Sequence, residues 1–126
     1  MPDIQIELQN IAALSVLHPF DKDAPIAPWR FRRCPYQKGL YTILVRSSGA
    51  AKGVSHAVLI GTTEVVQESH TTAGATDGQM PTPAGFVATP AHQFYAEYND
   101  EIDLVVKELA NVATSDVMIW ANVEPA

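Results

Sequence analysis

Read in steps of two, the last third of the chain alternates between apolar and polar positions. Phe94, Ala96 and Tyr98 fall on one side of a first run, with Gln93, Tyr95 and Glu97 on the other. Ile102, Leu104 and Val106 line a second run. Val117, Ile119, Ala121 and Val123 line a third, with Met118, Trp120 and Asn122 facing the other way. A period of two over runs this short marks half-buried strands, not helix. Near the N-terminus, Ile4, Ile6 and Leu8 alternate with Asp3, Gln5, Glu7 and Gln9 and predict a first strand. Leu40 to Arg46 and Val54 to Ile60 are largely apolar on both sides, which predicts central strands. Gly61 marks a bulge or tight turn before a further strand from Thr62 to Glu68. Ile11 to Leu17 fits a short helical turn or a buried strand, and the prompt Pro19 favours extended chain.

How these runs connect narrows the architecture. A three-residue loop, Asn99 to Glu101, pairs Tyr98 with Ile102, Ala96 with Leu104 and Phe94 with Val106, and gathers one apolar face. Such a loop wants a left-handed residue last, and Glu101 suits that position poorly. Either the turn is irregular or the two strands belong to different sheets. Glu108 to Asp116 is too long for a tight hairpin and suits a crossing between packed sheets. The expectation is an all-β protein: one antiparallel β-sandwich domain over residues 1–126, jelly-roll or immunoglobulin-like, with an extended arm over 71–91.

Two stretches break the strand pattern. Thr71 to Ala91 holds Gly74, Gly78, Gly85, Pro81, Pro83, Pro90 and five threonines, with no Lys or Arg. So long a tract without a strand or helix signal tends to be functional. Its few anchors are Met80, Phe86 and Val87, so a neighbouring molecule is expected to hold it. The second stretch, Trp29 to Lys38, follows a connection rich in proline from His18 to Pro28. Alternation of Trp29 and Phe31 with Arg30 and Arg32 predicts a strand, rings inward and guanidinium groups in solvent. A nucleic-acid strip is disfavoured, because the basic cluster is short and the chain is acidic. Contact of Arg30, Arg32 and Arg33 with carboxylates of a protein neighbour is the stronger functional reading.

Composition adds bounds. With 47% apolar and 17% charged residues the chain has the make-up of an ordinary globular domain. Cys34 is the single cysteine, so no intrachain disulfide is expected. Met1-Pro2-Asp3 lacks a basic leader and no apolar run approaches a membrane span, so synthesis in a cytoplasm without export is expected. The net charge of −6 divides unevenly, +3 over residues 1–52 and −9 over 53–126. Neighbouring strands could pair these charges, or the molecule could carry one basic and one acidic face suited to docking on copies of itself or a repeated partner.

No catalytic set emerges. Nucleotide-binding glycine motifs are absent from the sequence. His18, His56, His70 and His92 lack ligand spacing, and a cupin-type metal enzyme would need His56, His70 or His92 to converge. Asp100, Glu101 and Asp103 beside Asn99 form an acidic turn without the glycine and spacing of a calcium loop. Glu64 and Glu68 share a strand face without a paired acid. Arg32 and Arg33 could favour the Cys34 thiolate, but no His/Asn pattern completes a protease-like set. The chain is therefore expected to be no enzyme and to use no cofactor or metal. Trp120 and Tyr95 could stack on sugar rings if their face is open; core or protein interface is the preferred reading.

The short strands Leu40–Arg46, Val54–Ile60 and Ile102–Lys107, the Thr/Ala/Gly/Pro-rich arm Thr71–Ala91, and the abrupt ending of Val117–Val123 before Glu124-Pro125-Ala126 resemble a capsid decoration (cement) protein of tailed bacteriophages. The resemblance is one of overall pattern across most of the chain. It implies a virion protein on the outside of an icosahedral shell that braces joints between coat subunits as a symmetric oligomer. The partners so implied are the major capsid protein and further copies of the chain, a dimer or trimer, with neither nucleic acid nor membrane. Trp29, Arg30, Arg32, Arg33, Met80, Phe86 and Trp120 would carry the contacts. A tail or baseplate position and a carbohydrate-binding module are the neighbouring alternatives.

Overall fold

Strands in this chain pair from the outside in. The computed structural model describes residues 4–21, 29–47, 53–70, 72–73, 92–111 and 115–126. The outermost strands, β1 (Ile4–Ile11) and β9 (Ser115–Pro125), are antiparallel partners. Inside them β2 (Val16–Leu17) pairs with β8 (Ile102–Glu108), and β3 (Lys38–Ser47) with β7 (His92–Glu97). Innermost, β4 (Val54–Ile60) pairs with β5 (Thr63–His70). The two-residue β6 (Thr72–Ala73) stands apart from this nesting and lies parallel to Arg46 and Ser47 of β3. Rolled up, the nested pairs form two sheets. One runs β1-β9-β3 with β7 and β6 both beyond β3, and the other runs β2-β8-β4-β5. First strand with last, second with second-last: this is the strand order of a jelly roll, within the sandwich class expected from the pattern.

The tight turn at Gly61 follows from the register. Ile60 pairs with Thr63, leaving a two-residue loop of Gly61 and Thr62. Gly61 takes φ 61°, the left-handed first position of a type II′ turn, which glycine fills without steric cost. The connection after β7 resolves differently from the hairpin register. β7 bonds to β3 and β8 bonds to β4 and β2, so the two runs belong to different sheets and Phe94 does not pair with Val106. The left-handed residue there is Asn99, first in the loop, with φ 65°. Asparagine tolerates that region where glutamate would not. The expected crossing from Glu108 to Asp116 is present, since β8 and β9 lie in opposite sheets.

Opposed residues share a face, so the inner surfaces can be read from the registers. Ile6 and Leu8 of β1, Tyr41, Ile43 and Val45 of β3, Phe94 and Ala96 of β7, and Val117, Ile119, Ala121 and Val123 of β9 line one inner wall. Val54 and Val58 of β4, Val66 of β5, and Ile102, Leu104 and Val106 of β8 line the other. A column of rings extends this core, with Phe20 against Phe31, Phe31 edge-on to Tyr41, and Tyr41 stacked on Phe94 at 5.1 Å and 4°. The β1-β9-β3 sheet is also apolar on its outer side, where Leu44, Met118 and Trp120 are buried away from the core between the sheets.

Residues 29–31 are not a strand. Trp29–Phe31 forms a 3-10 turn, and the Arg32 and Arg33 amides both donate to the Trp29 carbonyl, each at 2.9 Å. A tight turn sends residues two apart in different directions, so Phe31 enters the core while Trp29 leaves it. Of the arm expected at 71–91, β6 shows that two residues do pair as strand. Residue 71 and residues 74–91, with Met80 and Phe86, lie outside the described residues.

Candidate functional site

Trp29 is the feature most at odds with folding economy. Its side chain is 61% exposed, yet the turn that carries it is stitched to the body at many points. Tyr41 donates its hydroxyl to the Arg30 carbonyl, and the Ile102 amide donates to the Arg32 carbonyl at 2.8 Å. The Cys34 amide donates to the Asp100 carbonyl at 3.1 Å, and the Asn99 amide donates to the Cys34 carbonyl at 2.8 Å. Burial pushes the Tyr41 phenol far above its usual range, with Cys34 adding to the effect, so the hydroxyl stays a donor. Phe31 beneath the turn is fully buried. An indole held outward on so fixed a base is presented at little entropic cost, which is how binding anchors are built.

Beside this turn lies a cleft of about 290 Å³, lined by Asp21, Arg32, Gly61, Thr62, Glu101, Ile102 and Asp103. Its charges meet within the chain. Arg32 pairs with Asp21 at 3.1 Å, Arg33 with Glu101 at 3.3 Å, and His18 Nδ1 with Asp103 at 2.9 Å. All these side chains are partly exposed, so each pair is worth at most about 1 kcal/mol. Arg30 lies over the Phe31 ring, 5.0 Å from its centroid. The arginines expected to seek carboxylates of a neighbour thus already have partners at home. Surface pairs of this strength can be exchanged for intermolecular ones at small cost. The acidic turn is likewise engaged, with Asp100 accepting from the Glu97 amide at 2.8 Å.

Two of the histidines converge. His56 of β4 and His92 of β7 face each other across the sandwich, with ring centroids 5.1 Å apart and planes tilted by 53°. Burial, then proximity to His92, pushes His56 down to about 4, and burial lowers His92 as well. Both are therefore neutral at pH 7. His70 pairs through its backbone with Ser55, and His18 sits at the other end of the sandwich on Asp103. Among the described residues no three His, Cys, Asp or Glu side chains gather as a metal set. The His56–His92 pair offers two donors where a catalytic zinc takes three protein ligands.

Trp120 and Tyr95 share the outer face predicted by parity but differ in access. Trp120 is 2% exposed, so in the isolated chain it has no surface to offer a partner or a sugar, whereas Tyr95 is open, with the Lys38 ammonium 4.5 Å from its ring centroid. Cys34 is buried, with its Sγ 3.4 Å from the Tyr36 carbonyl and 3.6 Å from the Ala96 carbonyl, either of which its single S–H can reach. Two residues of note had no chemical signature in sequence. Glu108 is buried and accepts three backbone N–H groups, and Leu14 takes φ 54°. The period of two does put residue 108 on the inner face, but a leucine in left-handed conformation leaves no mark in the pattern. Compared with protein-family models, with curated proteins and with solved structures, the chain matches none.

Proposed function

We propose that this chain is a structural virion protein that binds the outside of an icosahedral phage capsid and stabilises contacts between its coat subunits. The observation that carries the reading is Trp29, an exposed indole on a rigidly bonded turn beside a charged cleft. An anchor of this kind fills an apolar pocket on a partner, and the surrounding Arg32, Arg33, Asp21 and Glu101 orient the docking. By fold-level analogy, jelly rolls serve in viral capsid domains as well as in lectins and cupins. A shell protein gains affinity from many repeated weak contacts, so one modest anchor per subunit suffices. The test is whether density-banded virions from the source that encodes the chain contain it in fixed ratio to the coat protein. A second arm compares rebinding of the wild type and Trp29→Ala to particles stripped of it. Stoichiometric presence with weak rebinding of the variant is expected. Absence from banded particles removes the role.

The cleft favours one second reading, a carbohydrate-binding module. Carboxylates, a guanidinium and the Thr62 hydroxyl line a space large enough for a sugar ring, with an indole nearby. Binding of defined oligosaccharides that disappears in Asp103→Asn and persists without particles would favour it over the shell role.

A further inference from the structure

Two histidines occupy places where the strand pattern calls for apolar side chains. The inward residues of β4 are Val54, His56, Val58 and Ile60, and those of β7 are His92, Phe94 and Ala96. Apart from the histidines, each of these is apolar. The two rings meet across the space between the sheets, 5.1 Å apart, and His56 is 4% exposed. Leucine would fill either place with no charge to bury, so packing alone does not account for imidazole on both sides. What imidazole adds is a change of state, neutral at pH 7 and cationic in mild acid. Two cations at this separation repel, and each has also given up water to enter the core. Among the described residues, the charged group on the inner walls is Glu108 of β8, two residues beyond the Val106 that opposes His56, with its oxygens taken by three amides. From β3 the pair is faced by Ile43 and Val45, and from β5 by Val66. Lys107 and Glu68 pair with each other at 2.8 Å on the other side of the β4 sheet, and Arg46 lies on the outer side of β3.

The two sides of the pair are not equally held. β4 runs between β8 and β5 and pairs with β8 at every residue from Val54 to Ile60. His92 is the first residue of β7, and its pairing with Ile43 is the last rung of the ladder to β3. Further along, β7 is fixed by the Tyr41 ring stacked on Phe94 and by the buried Ala96. Repulsion between the rings is therefore relieved by β7 lifting at His92, and Phe94 is where the lifting stops. We propose that His56 and His92 form an acid-sensitive latch that holds the first residues of β7 against the opposite sheet at neutral pH and releases them when the rings take up protons. The latch belongs to the fold and does not depend on what Trp29 docks on. Its direction follows from linkage. Above pH 6.5 the rings are neutral whether the latch is closed or open, so pH has no effect. Below 6.5 the uncovered His56 takes a proton that the closed form resists until about 4. Opening is then favoured about tenfold per pH unit by this ring, and His92, lowered in the same direction, adds to it.

The test is amide hydrogen exchange of the full chain, resolved by residue with NMR, at about pH 7 and about pH 5 and corrected for the intrinsic effect of pH. The lower value stays above the usual carboxylate range, so histidines are the groups that titrate between the two. Leu104 and Ile119, buried in opposite sheets, exchange when the whole chain unfolds and set the reference. Protection of the amides from His92 to Phe94 is expected to fall about twentyfold or more on acidification. At the lower pH they should exchange faster than Leu104 and Ile119, by a route that small additions of urea do not accelerate, because a local opening exposes little surface. His56→Leu is expected to lose most of this pH response. Where that variant folds poorly, His92→Leu, at the more exposed position, gives the same comparison. Protection of β7 that does not change with pH, or exchange of β7 in step with Leu104 and Ile119, would overturn the proposal. So would a pH response that survives undiminished in a folded His56→Leu or His92→Leu chain.

Discussion

Acidification should weaken this sandwich at its histidine edge, and His56 sets how much. Its ring lies on the inner face of β4, opposite Val106 of β8 and 5.1 Å from the His92 ring of β7. Ser69 of β5 pairs with it through the backbone, and Glu108 lies on the same wall two residues beyond Val106, occupied by three amides. Above pH 6.5 the ring is neutral in both the folded and the unfolded chain, so it has no effect on stability. As pH falls below 6.5 the unfolded chain takes the proton, while the folded one resists until about 4. Stability therefore falls across that window and levels off beneath it. The interval from 6.5 to about 4, at about 1.36 kcal/mol per pH unit, comes to about 3 kcal/mol. Against a total of about 5–15 kcal/mol for a domain, that is a large share.

The assay is urea unfolding between about pH 7 and about pH 4, followed by tryptophan fluorescence. Trp120 is buried and Trp29 exposed, so the change on unfolding reports chiefly on Trp120. Carboxylates titrate in the same range, so the comparison that matters is between the wild type and His56→Leu, which keeps the volume and removes the titration. The wild type should lose about 3 kcal/mol more than the variant over this window. His92→Leu should flatten the slope too, through its own lowered ring and by relieving His56 of a neighbour. Parallel pH profiles for the wild type and His56→Leu would refute the reasoning.

Further substitutions test the packing. Gly39→Ala would place a Cβ 2.9 Å from Cys34 Sγ, which lies against two carbonyls, and should cost about 1–3 kcal/mol in urea unfolding. Combined with Cys34→Ala, most of that cost should vanish, a coupling that a double-mutant cycle reads directly. Glu108→Ala strips three amides of their acceptor and should cost about 3 kcal/mol or more, with Glu108→Gln recovering part. Leu14→Gly should raise stability by up to about 1 kcal/mol, seen as a higher urea midpoint, because only the leucine has a Cβ to strain.

Much of the fold was legible because strands with one buried face write a period of two into the chain. Ile4 to Leu8, Leu40 to Arg46, Val54 to Ile60, Ile102 to Val106 and Val117 to Val123 all fall within observed strands. Parity names a face but not a neighbour, and that is where the reading ran out. Phe94 and Val106 would make an equally good cross-strand pair in one sheet, yet the chain places them in different sheets, with Asn99 at φ 65° in the connection. Parity likewise put Trp120 outward, which is correct, without revealing that the outer face is buried there. Trp29 stood out as an anchor from its residue type, although its outward direction depends on a 3-10 turn that alternation had read as strand. The side-chain partners of Arg33 and His18 lie 68 and 85 residues away, beyond the reach of any local pattern.

Nested pairing also decides what the lopsided charge means. The first 52 residues carry +3 and the remainder −9, which in a chain folded half by half would give opposed faces. A jelly roll does not fold by halves, because β1, β2 and β3 each lie beside a strand from the second half. The charges interleave with the strands, and Arg33–Glu101 and His18–Asp103 join the halves at the Trp29 end. Among the described residues the Trp29 end carries the Arg32–Asp21 and Arg33–Glu101 pairs and suits an oriented, salt-sensitive contact. Raising ionic strength should accordingly weaken docking through the Trp29 end. Docking that is indifferent to salt would show that these pairs do not orient it.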